Sequence, residues 1–358
     1  MLCRALAAVT VCSFLIPSAA AQTQTSSARP AASAFVPGSG TKIDYVSDDF
    51  EDASWGYAHK HPKSSREQDE NVRHPTGGST NGRWHEGPER GQPDQIEVVA
   101  TPEGGIPGSS RALLLRTLHS GIPGRHSRDV QQDDLIAAVP GRLRGGINIA
   151  ERPSVTVRVY LPPVEQWERR TGPHFGFRTS ATTMARSKPK GMFGASGNEP
   201  ETYWPGMWVH FRSAGSRGAK ADGAFLTVRS NRMGHDFPVR DIAVEEFGWW
   251  TLGMSYSADG MVHYYASPGV DDLTQADYIT SQYPYGYQAR QFRTYFFDVC
   301  NLNDGRTWST PFVIDDPALY VMNPARINSI VEQKVRQEAQ LAARRAKPAS
   351  NRGASRMR

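Results

Sequence analysis

Cysteine is nearly missing from this chain: 358 residues carry three, Cys3, Cys12 and Cys300. Two of them fall in a stretch that reads as a removable leader, which leaves Cys300 alone. A chain with one cysteine has no internal disulfide, so a hydrophobic core must carry the fold. Cys300 closes the strand-like run Tyr295-Phe296-Phe297-Asp298-Val299-Cys300. It reads as a small buried residue rather than a nucleophile. Long apolar runs are also lacking. The longest reaches only from Ala5 to Ile16, well short of the roughly 20 residues a spanning helix needs. There is no Walker loop, no GxGxxG before a helix, no GxSxG and no HExxH. Those absences remove nucleotide-dependent chemistry and the common serine and zinc hydrolases from consideration.

What is present begins with the leader itself. Arg4 precedes the apolar stretch, and Pro17-Ser18-Ala19-Ala20-Ala21 follows it with small residues at the A-x-A positions. This is the pattern of a secretory signal, with cleavage expected after Ala21 and a secreted, periplasmic or cell-surface destination. The formal charge of +5 is unevenly placed. From Ala325 to Arg358 there are nine Lys/Arg against Glu332 and Glu338, while the rest of the mature chain holds 31 basic and 34 acidic residues. The basic character is a property of the tail, so nucleic acid is not expected as the primary ligand.

The 33 glycines and 25 prolines argue for many short strands joined by turns rather than for a helical bundle. Residues 22–40 are rich in Ser, Ala, Thr, Gln and Gly and read as a flexible linker. From 41 to 322 strand patterns recur. Val155, Val157, Val159 and Leu161 alternate with Thr156, Arg158 and Tyr160. Met207, Val209 and Phe211 alternate in the same way with Trp208, His210 and Arg212. Such a period of two marks strands with one face buried. Further strands are expected over 111–118, 225–228, 249–256, 261–266, 292–299 and 312–320. Ala258-Asp259-Gly260 supplies a hairpin turn between two of them. The whole predicts a mainly β protein, an antiparallel β-sandwich of jelly-roll type. Polar insertions at His59–Asp94 and Ser187–Pro205 interrupt it and are placed to rim a binding face. Residues 323–358 form a helical basic tail, whose end stays solvated or meets an anionic polysaccharide or lipid.

Two segments bear a resemblance. Asp48-Asp49-Phe50-Glu51-Asp52 with Trp55 opens the domain, and Phe312-Val313-Ile314-Asp315-Asp316-Pro317-Ala318-Leu319-Tyr320 closes it. They resemble the first and last strands of jelly-roll carbohydrate-binding modules. Gly248-Trp249-Trp250-Thr251-Leu252, leading through Asp259-Gly260 to Tyr264-Tyr265, is similar to the concanavalin A-like lectin/glucanase pattern. The resemblance implies carbohydrate recognition by a secreted bacterial-type sandwich. It also implies a structural Ca²⁺ held where the two end strands meet, with Asp49, Glu51, Asp315 and Asp316 as its oxygen ligands. The E-x-D-x-x-E strand of the glucanases is not found. The nearest acidic cluster, Glu245-Glu246, points its two carboxyls to opposite sides of a strand.

The expected partner is a polysaccharide or other glycan. Tyr160 and Arg158, Trp208, His210 and Arg212, and Tyr256, His263 and Tyr265 fall on strands. On one shared sheet face they would stack on sugar C–H surfaces and donate hydrogen bonds. Trp208, His210, Arg212, Tyr160 and Arg158 are the binding candidates. The same face has an enzymatic reading as a polysaccharide lyase or glycosidase. There Arg212 would neutralise a uronate, while His210 and Tyr265 would move protons. Binding and catalysis both stay open, as does a cell-surface protein-interaction role. His59, His61, His74 and His85 gather in one insertion without the spacing of a zinc site.

Overall fold

The computed structural model describes residues 34–186, 198–229 and 234–346. The stretch read as a signal sequence, most of that read as a linker and the basic end beyond residue 346 lie outside these. In chain order the strands are β1 (Thr41–Lys42), β2 (Tyr57–Ala58), β3 (Gly78–Ser79), β4 (Trp84–Glu86), β5 (Gln95–Ala100) and β6 (Arg111–Arg116). They continue with β7 (Gln131–Ala137), β8 (Ile147–Asn148), β9 (Pro153–Leu161), β10 (Gly172–Arg186), β11 (Asn198–Tyr203), β12 (Gly206–Arg212) and β13 (Gly223–Arg229). The last are β14 (Asp236–Ile242), β15 (Gly248–Tyr256), β16 (Val262–Pro268), β17 (Tyr278–Gln282), β18 (Ala289–Asn301) and β19 (Phe312–Val321).

These strands form two antiparallel sheets packed face to face, a β-sandwich of jelly-roll type followed by one long helix. Sheet A runs β17-β16-β15-β9-β19-β6-β5, with β1 on β19. Sheet B runs β14-β13-β12-β10-β18-β7-β4-β3-β2, with β11 on β10 and β8 on β18. The first and last strands of the domain lie side by side, Thr41 opposite Val321.

Alternation decides what lies between the sheets. Val155, Val157, Val159 and Leu161 of β9 and Leu252 and Met254 of β15 point inward from sheet A. Met207, Val209 and Phe211 of β12, with Phe175 and Phe177 of β10 and Tyr295, Phe297 and Val299 of β18, meet them from sheet B. Because successive side chains alternate, each of these strands must turn its intervening residues outward. The β15–β16 hairpin turns at Asp259-Gly260, where Gly260 takes φ +84°, a backbone conformation that costs glycine little.

Two regions differ from the expectation. Part of the stretch read as linker is packed against sheet A. The Phe35 carbonyl accepts from Ser255 Oγ at 2.6 Å, and the Arg152 guanidinium lies over the Phe35 ring. The insertion 59–94 is more than a loop, since it supplies β3 and β4, which with β2 just before it extend the edge of sheet B. The helix Ala325–Ala346 docks through its first turns, with Ile327 buried and Arg326 paired to Glu151 at 2.7 Å. Contacts with the body run on to Gln337 and Glu338, which accept from Arg144 and the Tyr45 hydroxyl, while Val335 and Leu341 are exposed.

Candidate functional site

The outer face of sheet B gathers polar side chains in transverse rows, because antiparallel register sets them directly opposite one another. The central row crosses five strands: Asp134 on β7, Asp298 on β18, Gly176 on β10, Trp208 on β12 and Thr227 on β13. A neighbouring row runs Ile136, Phe296, Arg178, Gly206, Arg229 and Asp236. Outward residues of a sandwich ordinarily meet water, yet Asp298 is fully buried and Trp208 is 2% exposed.

Glycines make this closeness feasible. A Cβ at Gly176 would stand 2.5 Å from Asp298 Oδ2 and 2.9 Å from Trp208 Cζ3. A Cβ at Gly206 would collide with the Arg178 side chain. Arg178 therefore lies over bare backbone, its Cζ 5.3 Å from the Trp208 ring centroid and 5.3 Å from that of Phe296. Arg229 also lies 5.3 Å from the Trp208 ring, held by Asp236 through bonds of 2.6 and 2.8 Å.

Asp134 and Asp298 are hydrogen-bonded to each other. The Gln132 amide donates to both, at 3.0 and 2.6 Å. Arg178 Nη1 stands 3.7 Å from Asp298 Oδ1. Burial first, then the charge of Asp298, raises Asp134 well above the ordinary carboxylate range. Burial raises Asp298 too, while Arg178 opposes the shift. Two carboxylates so placed cannot both ionise near neutrality, so they share a proton.

The insertion 59–94 fixes this pair from the side. Gly87 N donates to the Asp134 carbonyl and Asp134 N to the Gly91 carbonyl, each at 3.1 Å. Buried Lys63 ties the insertion to the sandwich through Asp133 at 2.7 Å, Asp94 at 2.8 Å and the His119 carbonyl at 2.7 Å. Beside the face, Tyr203 stacks on Tyr285 and Tyr287, at centroid distances of 4.5 and 5.6 Å. Next to Tyr203 the Trp204 side chain is exposed, and its carbonyl accepts from Arg178 Nη2 at 3.1 Å. Where β7 and β18 meet the Gly121–Asp129 loop, two surface clefts of about 420 and 490 Å³ share His126.

The structure brings together three of the residues singled out from the sequence. Trp208, His210 and Arg212 share the outer face of sheet B. His210 is half-buried, shares a 3.1 Å hydrogen bond with Thr227 and stacks on Phe225. Burial pulls its pKa down to about 4, so its ring is neutral at ordinary pH. Arg212 is exposed, pairs with Asp241 at 3.1 Å and lies over Phe225.

The others do not join them, which corrects the expectation of one shared face. Arg158 and Tyr160 lie on the outer face of sheet A. There Arg158 is bound by Asp272 at 2.6 Å and Asp316 at 3.3 Å, and Tyr160 packs on Trp249. Tyr265 occupies that same far side, fully buried and opposite Gly253, where Pro37 and Leu273 close over the sheet. His263 is also there, held by Ser257 and Ser281, while Tyr256 points into the core. A proton-transfer trio of His210, Arg212 and Tyr265 is thus split between opposite sides of the sandwich. Cys300 is buried on β18, and burial pushes its thiol far up.

The acidic strand ends meet as the end strands do, but they do not fit a calcium cage. Glu51 accepts from Ser110 N at 2.7 Å, Ser110 Oγ at 2.6 Å and Arg111 N at 3.0 Å. Asp315 accepts from Ser109 Oγ and from Asp316 N, both at 2.8 Å. Asp316 is paired to Lys42 at 2.7 Å and to Arg158, so cations of the protein neutralise it. Asp49 is exposed and bonds to the Glu51 amide. Among the described residues no three His, Cys, Asp or Glu side chains converge as metal ligands. His59 and His61 stack on each other at 5.9 Å, and His85 bonds the Glu86 carbonyl.

The sequence reading did not single out Asp134, Asp298, Arg178, Arg229 or Gln132 as site residues. Asp298 carried a signal, being a lone carboxylate in an aromatic run. No protein-family model and no curated protein matches the chain. Among solved structures, it is similar to a carbohydrate esterase from a Shiga toxin-encoding bacteriophage, phi24B. That match has 11% identity, covers 67% of this chain and 90% of that one, and has a TM-score of 0.38. A β-glucanase catalytic domain from Podospora anserina matches at 10% identity, 63% and 78% coverage, and a TM-score of 0.34. An alginate lyase from Pseudomonas aeruginosa matches at 10% identity, 64% and 84% coverage, and a TM-score of 0.29. Likenesses this distant bear on neither activity nor substrate.

Proposed function

We propose that this chain is an exported polysaccharide-binding protein that takes a sugar chain across the outer face of sheet B. One observation carries the reading. Trp208 Nε1 and Arg178 Nε are both buried without a hydrogen-bond partner, with the Arg178 Cζ 5.3 Å from the Trp208 ring centroid. An unpaired buried polar group costs about 1–3 kcal/mol, so two donors left idle in one place ask for a ligand rich in hydroxyls. A sugar ring has those hydroxyls, and its C–H faces suit the neighbouring rings of Trp208, Phe296 and the Tyr203 stack.

Calorimetric titration of the purified chain with a glucan, a xylan, a mannan and an alginate tests this. Saturating heat with one class is expected. Trp208→Phe, which keeps the ring and removes the indole donor, should weaken binding about tenfold, the worth of one hydrogen bond, with the melting temperature little changed. No binding to any polymer, or an unaltered affinity in Trp208→Phe, overturns the reading.

A further inference from the structure

The two carboxyls of the central row do more than a binding face requires. Asp298 is sealed from solvent, whereas Asp134 keeps 7% of its surface open. The Gln132 amide and Arg178 both reach Asp298 Oδ1. Negative charge therefore settles on Asp298, and the shared proton rests on Asp134, the less enclosed of the two. The pair is in hydrogen-bond contact, closer than the roughly 5 Å that separates an acid from a carboxylate nucleophile. It acts as one acid with one proton. A second feature points to a ligand at the same place: Trp208 Nε1 and Arg178 Nε, both buried, are unpartnered beside it.

We propose that Asp134 is the general acid for hydrolysis of a glycosidic bond on this face, with Asp298 as the positioning residue that keeps its proton in place. This rests on the sugar-binding reading above. In the step, Asp134 gives its proton to the glycosidic oxygen as the bond from that oxygen to the anomeric carbon breaks, and the departing sugar leaves as an alcohol. A solvent water adds to the anomeric carbon. The proton it sheds returns to the Asp134 carboxylate, which sits against the Asp298 carboxylate and rebinds it readily. One water is consumed, one acetal becomes a hemiacetal and an alcohol, and the pair ends with the proton it began with.

The charged and titratable groups around Asp134 are Asp298 and Cys300 from β18, Arg178 from β10 and Arg229 from β13. Arg90 from the insertion and His85 from β4, Cα-paired with Ile136, complete the set. Burial first, and then the charge of Asp298, hold Asp134 protonated.

The test is release of reducing ends from whichever of the four polymers gives saturating heat. Asp134→Asn should lower turnover about 10²- to 10⁴-fold, the usual worth of a general acid. Its melting temperature should hold, because the Asn amide still donates to Asp298. Asp298→Asn should shift the alkaline limb of the pH–rate profile to lower pH, since Asp134 then loses its proton sooner, and a merely structural role would leave the profile in place. Saturable binding without reducing ends overturns the acid assignment and leaves the binding reading standing. So does undiminished turnover in Asp134→Asn, or an unsaturated sugar product. Absence of binding to all four polymers overturns both.

Discussion

Trp208 and Asp298 sit on β12 and β18, two strands apart, and approach each other across the bare backbone of Gly176 on β10. The contact exists only because no side chain stands between them. Gly176→Ala puts a methyl group 2.5 Å from Asp298 Oδ2, and overpacking of this kind costs about 1–3 kcal/mol. Urea unfolding should show that loss, and affinity for the polymer should fall with it as Trp208 is displaced. Unchanged stability would mean that the row is looser than described.

Lys63 is buried against Asp133, itself fully enclosed. Lys63→Met removes one partner and leaves a carboxylate without a counter-charge, which costs about 3–5 kcal/mol. Denaturant titration at neutral pH should read this. Burial already raises Asp133 to about 7, so the deficit should shrink as pH falls and the carboxyl takes up a proton. Adding Asp133→Asn to the variant should restore part of the stability.

His263 and Asp315 pull stability in opposite directions with pH. Burial holds His263 at about 4, against roughly 6.5 when unfolded. Between those values the unfolded chain binds more protons, so the contribution of neutral His263 is whole above the upper one and is lost as pH falls toward the lower. Asp315 is raised to about 6, chiefly by burial, so it contributes stability at low pH that is lost as pH rises from about 4 to 6. Melting curves across this range should show a smaller acid-side loss in His263→Asn than in the parent. Asp315→Asn should show a smaller loss on the rising side. Parallel curves for parent and variants would contradict both assignments.

Chelation should leave the melting temperature unchanged. Lys42 and Arg158 already neutralise Asp316, and the Ser110 and Arg111 donors occupy Glu51. A fall in melting temperature on adding EDTA, reversed by Ca²⁺, would show that these carboxylates rearrange around a cation.

The C-terminal helix should divide at its middle. Ile327 is fully buried, and Ile327→Ala is expected to cost about 2–5 kcal/mol. Leu341 is 53% exposed, and its replacement by Ala should stay within about 0.5 kcal/mol. Chemical denaturation of the two variants side by side checks the contrast.

The sandwich was legible because its cores announce themselves by period. Val155, Val157 and Val159 face inward, as do Met207, Val209 and Phe211, and Asp259-Gly260 turns the hairpin where the sequence places it. Period two says which residues share a face, but not which of two sheets they belong to. Tyr160 and Trp208 alternate identically and end on opposite outer surfaces. β10 does not read as a strand, since Gly172, Pro173, Gly176 and a run of Thr and Ser break its pattern, yet it is the middle of the site. Asp298 stood in plain view, but its partner Asp134 lies in a polar stretch on a distant strand. Only the register between β18 and β7 joins them.

Under the proposed reading, the central row has a consequence for how recognition is divided along the gene. Its members at 134, 298, 176, 208 and 227 each come from a different strand, at spacings of about 4.8 Å. A sugar chain lying along it, as proposed, crosses the strands and passes over each one once. Preference at one position of the ligand is then written in one short segment of the chain, framed by inward residues that need not change. Point substitutions at these few codons would retune one subsite at a time while the scaffold that spaces them stays as it is.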